Sequence, residues 1–151
     1  MTTQRDPEKL KRKLFEFAQD FPFFKLIGFE LIDFGPKWCK AKIELRDDLR
    51  NANGVMHGGA IATLIDAAIT QCMLTTDEYQ QIRDTRGSMT SVDLRIKYLR
   101  PLGEGSATCE AEIPHLGRRI GHASAVVKND AGKVIATGDS IIMLTLGNAG
   151  K

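Results

Sequence analysis

"NGVMHGGAIATLIDAAITQCM", Asn53 to Met73, decides how this chain folds. It reads as a loop that turns on glycines into a long apolar helix. Between Gly58 and Thr76 the one charged side chain is Asp66. A helix apolar all round must be surrounded, and an unpaired charge inside it is expensive. Asp66 is therefore either tied down by Thr63, Thr70 or a neighbouring strand, or it is there for chemistry.

The start of that helix carries a second signal. A helix N-terminus presents unpaired N–H groups and the positive end of a dipole, and glycine lets a ligand approach the backbone. "HGG" at 57–59 can therefore form an oxyanion hole with the N–H of Gly58 as donor, or simply a tight turn with no ligand. Eight residues of helix put Asp66 roughly 12 Å along the axis from Gly58, too far for both to act on one carbonyl. Two antiparallel copies of the helix across a twofold axis would bring Gly58 of one subunit to Asp66 of the other.

Working outward, residues 6–19 read as an amphipathic helix capped by Asp6, with Pro7 at its first position and Leu10, Leu14 and Phe17 on one face. Its run "KLKRK" is read as a solvated face. "FPFFKLIGF" docks that helix to the body. "FELIDFGPKWCKAKIELR" is a hairpin turning at Gly35-Pro36, with Cys39, Ala41, Ile43 and Leu45 on the buried side. After the long helix, "DEYQQIRDTRG" is a polar connector, partly helical.

Four strands follow. Val92, Leu94, Ile96 and Tyr98 alternate with Ser91, Asp93, Arg95 and Lys97, and Ala107, Cys109, Ala111 and Ile113 alternate with Thr108, Glu110 and Glu112. "RIGHASAVVKN" and "KVIATGDSIIMLTL" flank the turn "DAG". Short links predict an antiparallel sheet. The expected class is α+β: a curved antiparallel sheet wrapped around the long helix, with an extra N-terminal helix and a second subunit covering what one chain leaves open. Residues 1–151 read as one domain, with 1–27 as helix and docking segment and 28–146 as the core.

Composition narrows the function. A chain of 151 residues with net charge +2 gives no general affinity for nucleic acid. Cys39, Cys72 and Cys109 carry neither disulfide nor CxxC spacing, and free thiols fit a reducing compartment. "MTTQRDPEKLKRK" does not read as a secretory signal and no apolar run has membrane-spanning length, so the expected place is the cytoplasm, without membrane insertion. His57 has the residue type of a general base, but its ring is read first as a brace for the glycine turn. His115 and His122 have no ligand spacing, and no metal is expected.

Asn51, Gly54, His57, Gly58, Gly59, Leu64 and Asp66 form N-x-x-G-x-x-H-G-G-x-x-x-x-L-x-D. This resembles the signature of hotdog-fold acyl-CoA thioesterases of the phenylacetate-degradation (PaaI-like) type. "SVDLRIKYLRP" resembles the strand after the helix in that family, and "GKVIATG" the start of its last strand; the similarity runs from about Gly28 to Leu144.

The resemblance implies a hotdog fold and hydrolysis of an aryl- or medium/long-chain acyl-CoA to free acid and CoA, with no cofactor. Gly58 would polarise the thioester carbonyl, and Asp66 of the partner subunit would act as general base or nucleophile. Asn51 would place the thioester or water, His57 would support the turn, and Ser91 would orient water. A homodimer would complete the site, with dimers pairing into a homotetramer. Gly59, Lys97, Arg100, Arg118 and Arg119 are the candidate contacts for substrate and CoA, the arginines because guanidinium suits phosphate. Phe21, Phe23, Phe24 and Trp38 would line an acyl pocket or belong to the core. The competing functions are a non-catalytic acyl-CoA-binding module and a hotdog dehydratase or hydratase.

Overall fold

The computed structural model describes residues 6–147; the expected domain's residues 1–5 and 148–151 lie outside them. Helix α1 spans Pro7–Asp20. Asp6 caps it, its carboxylate accepting from the N–H groups of Glu8 at 3.0 Å and Lys9 at 3.4 Å. Leu14 and Ala18 form its buried strip, against β1. Phe17, expected there, turns away from that strip, stays exposed and stacks on Phe21.

"FPFFKLI" forms a second helix, α2 (Pro22–Ile27), which the sequence reading did not separate. Proline at its first position opens it, and Gly28, at φ 72°, ends it in the left-handed region.

Strands β1 (Phe29–Gly35) and β2 (Trp38–Glu44) make the expected hairpin. Cys39, Ala41 and Ile43 are buried, and Leu45 is half-buried. A 3-10 turn at Asp47–Leu49 leads into the loop before α3 (Gly58–Leu74). The polar connector contains α4 (Asp77–Asp84), capped by Thr76. Then come β3 (Ser88–Tyr98), β4 (Ser106–Leu116), β5 (Ile120–Lys128) and β6 (Val134–Thr145).

All six strands form one antiparallel sheet in the order β1-β2-β4-β5-β6-β3. Helix α3 lies across its inner face, mainly on β4 and β2. Leu64, Ile65, Ile69 and Met73 of the helix are fully buried in a core with Ile43, Val127 and Ile135. Gly138 on β6 allows this close approach: a Cβ there would stand 2.9 Å from Ile65 Cγ2. The three cysteines are free and buried. A hydrogen bond with Cys39 and burial push the Cys72 thiol up, and burial pushes Cys109 up, so both sulfurs stay protonated packing groups.

Strand β3 corrects the sequence reading. Ser91 pairs with Ile142 and Asp93 with Ile141, so Val92 is an extra residue in a β-bulge. Simple alternation puts Ser91 opposite Leu94. The bulge turns both toward α3 and leaves Val92 exposed. Tyr98, on the apolar side of the alternation, is also exposed, and β3 is the last strand of the sheet, with no neighbour on one side.

Among the described residues no single helix is long and apolar enough to cross a membrane. Helices α3 and α4 meet that length only together, across a 77° bend.

Candidate active site

Helix α3 begins with four N–H groups that have no partner in the preceding turn. Three of them are engaged. His57 is the N-cap, and its Nδ1 accepts from Gly59 N–H at 2.8 Å. Its carbonyl accepts from Ala60 at 2.9 Å and from Ile61 at 3.3 Å. The N–H of Gly58 meets no acceptor among the described residues.

This arrangement bears on several of the expected residues. His57 braces the glycine turn. Its Nδ1 is occupied by the Gly59 N–H and is not free to act as a base. Gly59, a candidate substrate contact, has its N–H occupied by His57. A Cβ at this position would sit 3.0 Å from His57 Nδ1, a tight contact with the bracing ring.

A groove of about 340 Å³ opens in front of Gly58, lined among others by Asn51, Met56, Ile61, Tyr98 and Arg100. Asn51 holds the preceding loop: its Oδ1 accepts from Asn53 N–H at 2.9 Å and Val55 N–H at 3.4 Å. That leaves its amide nitrogen as the end able to donate to a ligand. Arg100 is anchored by its Nη1 donating to the Val134 carbonyl at 2.7 Å, with the guanidinium at the groove wall.

Asp66 is half-buried. Thr63 and Thr70 do not tie its carboxylate down: their hydroxyls donate to the carbonyls of Gly59 and Asp66. The carboxylate's partner is Ser91, whose Oγ donates to Oδ1 at 2.9 Å. Helix α3 is continuous, so Asp66 stands about 12 Å along the axis from Gly58. One chain thus carries two separate features, an open N–H beside a groove and a carboxylate hydrogen-bonded by a serine.

The other candidate contacts divide. Lys97 sits between Ile96 and Tyr98, which point to the helix side, so it takes the outer face of β3, away from the groove. Arg118 and Arg119 lie in the β4–β5 turn. The groove loop adjoins the opposite end of β4, where Met56 N–H donates to Leu102 O. The eleven residues of β4 put that turn roughly 35 Å from the groove of its own chain.

Phe21, Phe23 and Trp38 are exposed, Phe24 belongs to the core, and none of the four lines the groove. Among the described residues no three His, Cys, Asp or Glu side chains stand together as metal ligands. His115 and His122 are cross-strand neighbours, their rings 5.8 Å apart.

Tyr98 is the site residue the sequence reading missed. Its hydroxyl donates to the Gly58 carbonyl at 3.0 Å, and a Cβ on Gly58 would lie 3.3 Å from its ring. No local pattern announces this, because the contact joins residues 40 apart in the chain.

Known proteins resemble this chain in sequence and in fold. The sequence model of the Thioesterase superfamily matches residues 53–136. Acyl-coenzyme A thioesterase 13 of Mus musculus is 30% identical over 124 residues, covering 76% of this chain and 84% of the relative. The medium/long-chain acyl-CoA thioesterase YigI of Escherichia coli K12 is 25% identical over 138 residues, covering 85% and 88%. The structure of the E. coli PaaI protein from the phenylacetic acid degradation operon superposes with a TM-score of 0.76 at 20% identity, covering 91% and 97%, a likeness of fold.

Proposed function

The chain belongs to the thioesterase superfamily of hotdog-fold thioester hydrolases, and we propose that it hydrolyses an acyl-CoA to the free acid and CoA at a site shared by two subunits. The observation that carries this reading is the pair of half-sites on one helix. Gly58 N–H is the one open amide of the α3 N-terminus, and Asp66 is a carboxylate held by Ser91.

In the proposed reaction the thioester carbonyl oxygen accepts from Gly58 N–H, which stabilises the charge that develops on it. The helix dipole acts in the same direction. Asp66 of the partner subunit takes a proton from water, and the resulting hydroxide attacks the carbonyl carbon. The tetrahedral intermediate collapses with cleavage of the C–S bond. The acyl group leaves as the acid, and the CoA sulfur takes up a proton. Ser91 keeps the carboxylate aimed, and Asn51 donates to the thioester or the water.

Arg100 is the proposed contact for CoA phosphate. Arg118 and Arg119 could act only on the partner's groove. An antiparallel twofold would carry the C-terminal end of one α3, and the β4–β5 turn beyond it, toward the other subunit's Gly58.

The test is CoA release from a panel of short, medium, long and aryl acyl-CoAs, with Asp66→Asn beside the wild type. Turnover on some members, falling about 10²- to 10⁴-fold in the variant, is the expected result. Tight acyl-CoA binding with no turnover on any member would make this a binding module instead. Single-turnover hydrolysis in ¹⁸O-water distinguishes the base from a nucleophile: label recovered in the Asp66 carboxylate would overturn the general-base step.

A further inference from the structure

Two consecutive glycines are the least constrained residues with which a helix can begin. An oxyanion donor must nevertheless be aimed before the substrate arrives, because preorganisation is the source of its effect. Gly58 and Gly59 have no side chains to brace them, so the restraint has to come from elsewhere.

The peptide unit before Gly58 is held at its oxygen, where the His57 carbonyl accepts from Ala60 and Ile61. The unit after Gly58 is held at both ends. Its N–H, on Gly59, donates to His57 Nδ1, and its carbonyl, on Gly58, accepts from Tyr98 Oη. A peptide unit is rigid and planar, so holding its oxygen and its hydrogen fixes the rotation on both sides. The Gly58 N–H is then held in one direction, beside the groove that Gly58 and Tyr98 both line.

We infer that Tyr98 is a positioning residue for the oxyanion donor. It acts through the Gly58 carbonyl, to which its hydroxyl donates. The inference rests on the proposed thioester hydrolysis and adds a residue from β3, at the far edge of the sheet, to the helix N-terminus.

The hydroxyl, not the ring, carries this role, so the decisive variant is Tyr98→Phe. It keeps the groove wall and removes one exposed hydroxyl. The expected result is a kcat lowered about three- to tenfold, the range of one hydrogen bond, with KM and melting temperature unchanged. Tyr98→Ala should in addition raise KM, because the wall itself is lost.

Amide hydrogen exchange by NMR reads the restraint without turnover: the Gly59 amide should exchange faster in Tyr98→Phe than in the wild type. Wild-type kcat and unchanged Gly59 exchange in Tyr98→Phe would overturn the inference. So would a fall in kcat matched by a fall in melting temperature, which would make the tyrosine merely structural. Failure of hydrolysis itself is separate: the wild type would then turn over no acyl-CoA, while Gly59 exchange would still report whether the hydroxyl pins the turn.

Discussion

Proline at position 58 would remove one hydrogen-bond donor and bring a small ring against Tyr98. It is favoured at the first position of a helix, where its missing N–H has no helical acceptor. The residue before a proline must be extended, and His57 already is, at φ −61° and ψ 135°. Gly58→Pro should therefore leave α3 folded and lower kcat about 10²- to 10³-fold, the cost of one oxyanion donor. Gly58→Ala is the control. It adds the same Cβ near the Tyr98 ring but keeps the N–H, so steady-state kinetics should show a much smaller loss. Equal losses in the two variants would assign the effect to crowding and leave the donor without a role.

At the scale of elements, the bulge in β3 does what a regular strand cannot. It lets Ser91 and Leu94, three residues apart, both face α3, so one strand supplies a carboxylate partner and core packing. The N-terminal helix is the opposite case, an element whose formation is local. Its cap is a single carboxylate with two backbone donors. Asp6→Ala should cost about 1 kcal/mol, a fall in melting temperature of roughly 2–4 °C for a chain of this size. Calorimetry would check this, and kcat should not change, since no residue of α1 lines the groove. A shift in kcat would mean that α1 reaches a site in the assembly.

For the whole molecule, the separation of Gly58 from Asp66 has a consequence that does not depend on any structure of a dimer. If the site is shared as proposed, Gly58→Pro and Asp66→Asn should each disable every site, whereas in a mixed dimer both lesions would fall on one site and leave the other intact. Unfolding the two inactive proteins together and refolding them at equal amounts should restore about a quarter of the wild-type activity by random pairing. No recovery, with mixed dimers demonstrated by mass spectrometry, would place both groups' action within one chain and end the shared-site reading.

Much of this protein was legible as local pattern. The spacing of apolar residues identified α1, the β1–β2 hairpin, α3 and the later strands, because burial on one face leaves a period in the sequence. His57-Gly58-Gly59 and the isolated Asp66 marked the candidate site, because a glycine pair at a helix start and a lone charge on an apolar helix are unusual wherever they occur. Tertiary structure decided what depends on neighbours distant in sequence. The bulge at Val92 follows from the pairing of β3 with β6, and it turned Ser91 toward Asp66. The position of β3 at the sheet edge exposed Tyr98, and the approach of its end to α3 joined that hydroxyl to Gly58. The same packing left Lys97, Arg118 and Arg119 away from their own chain's groove. Periodicity records which face of an element is buried; it carries no record of which element lies across from it, and that determines what a side chain can touch.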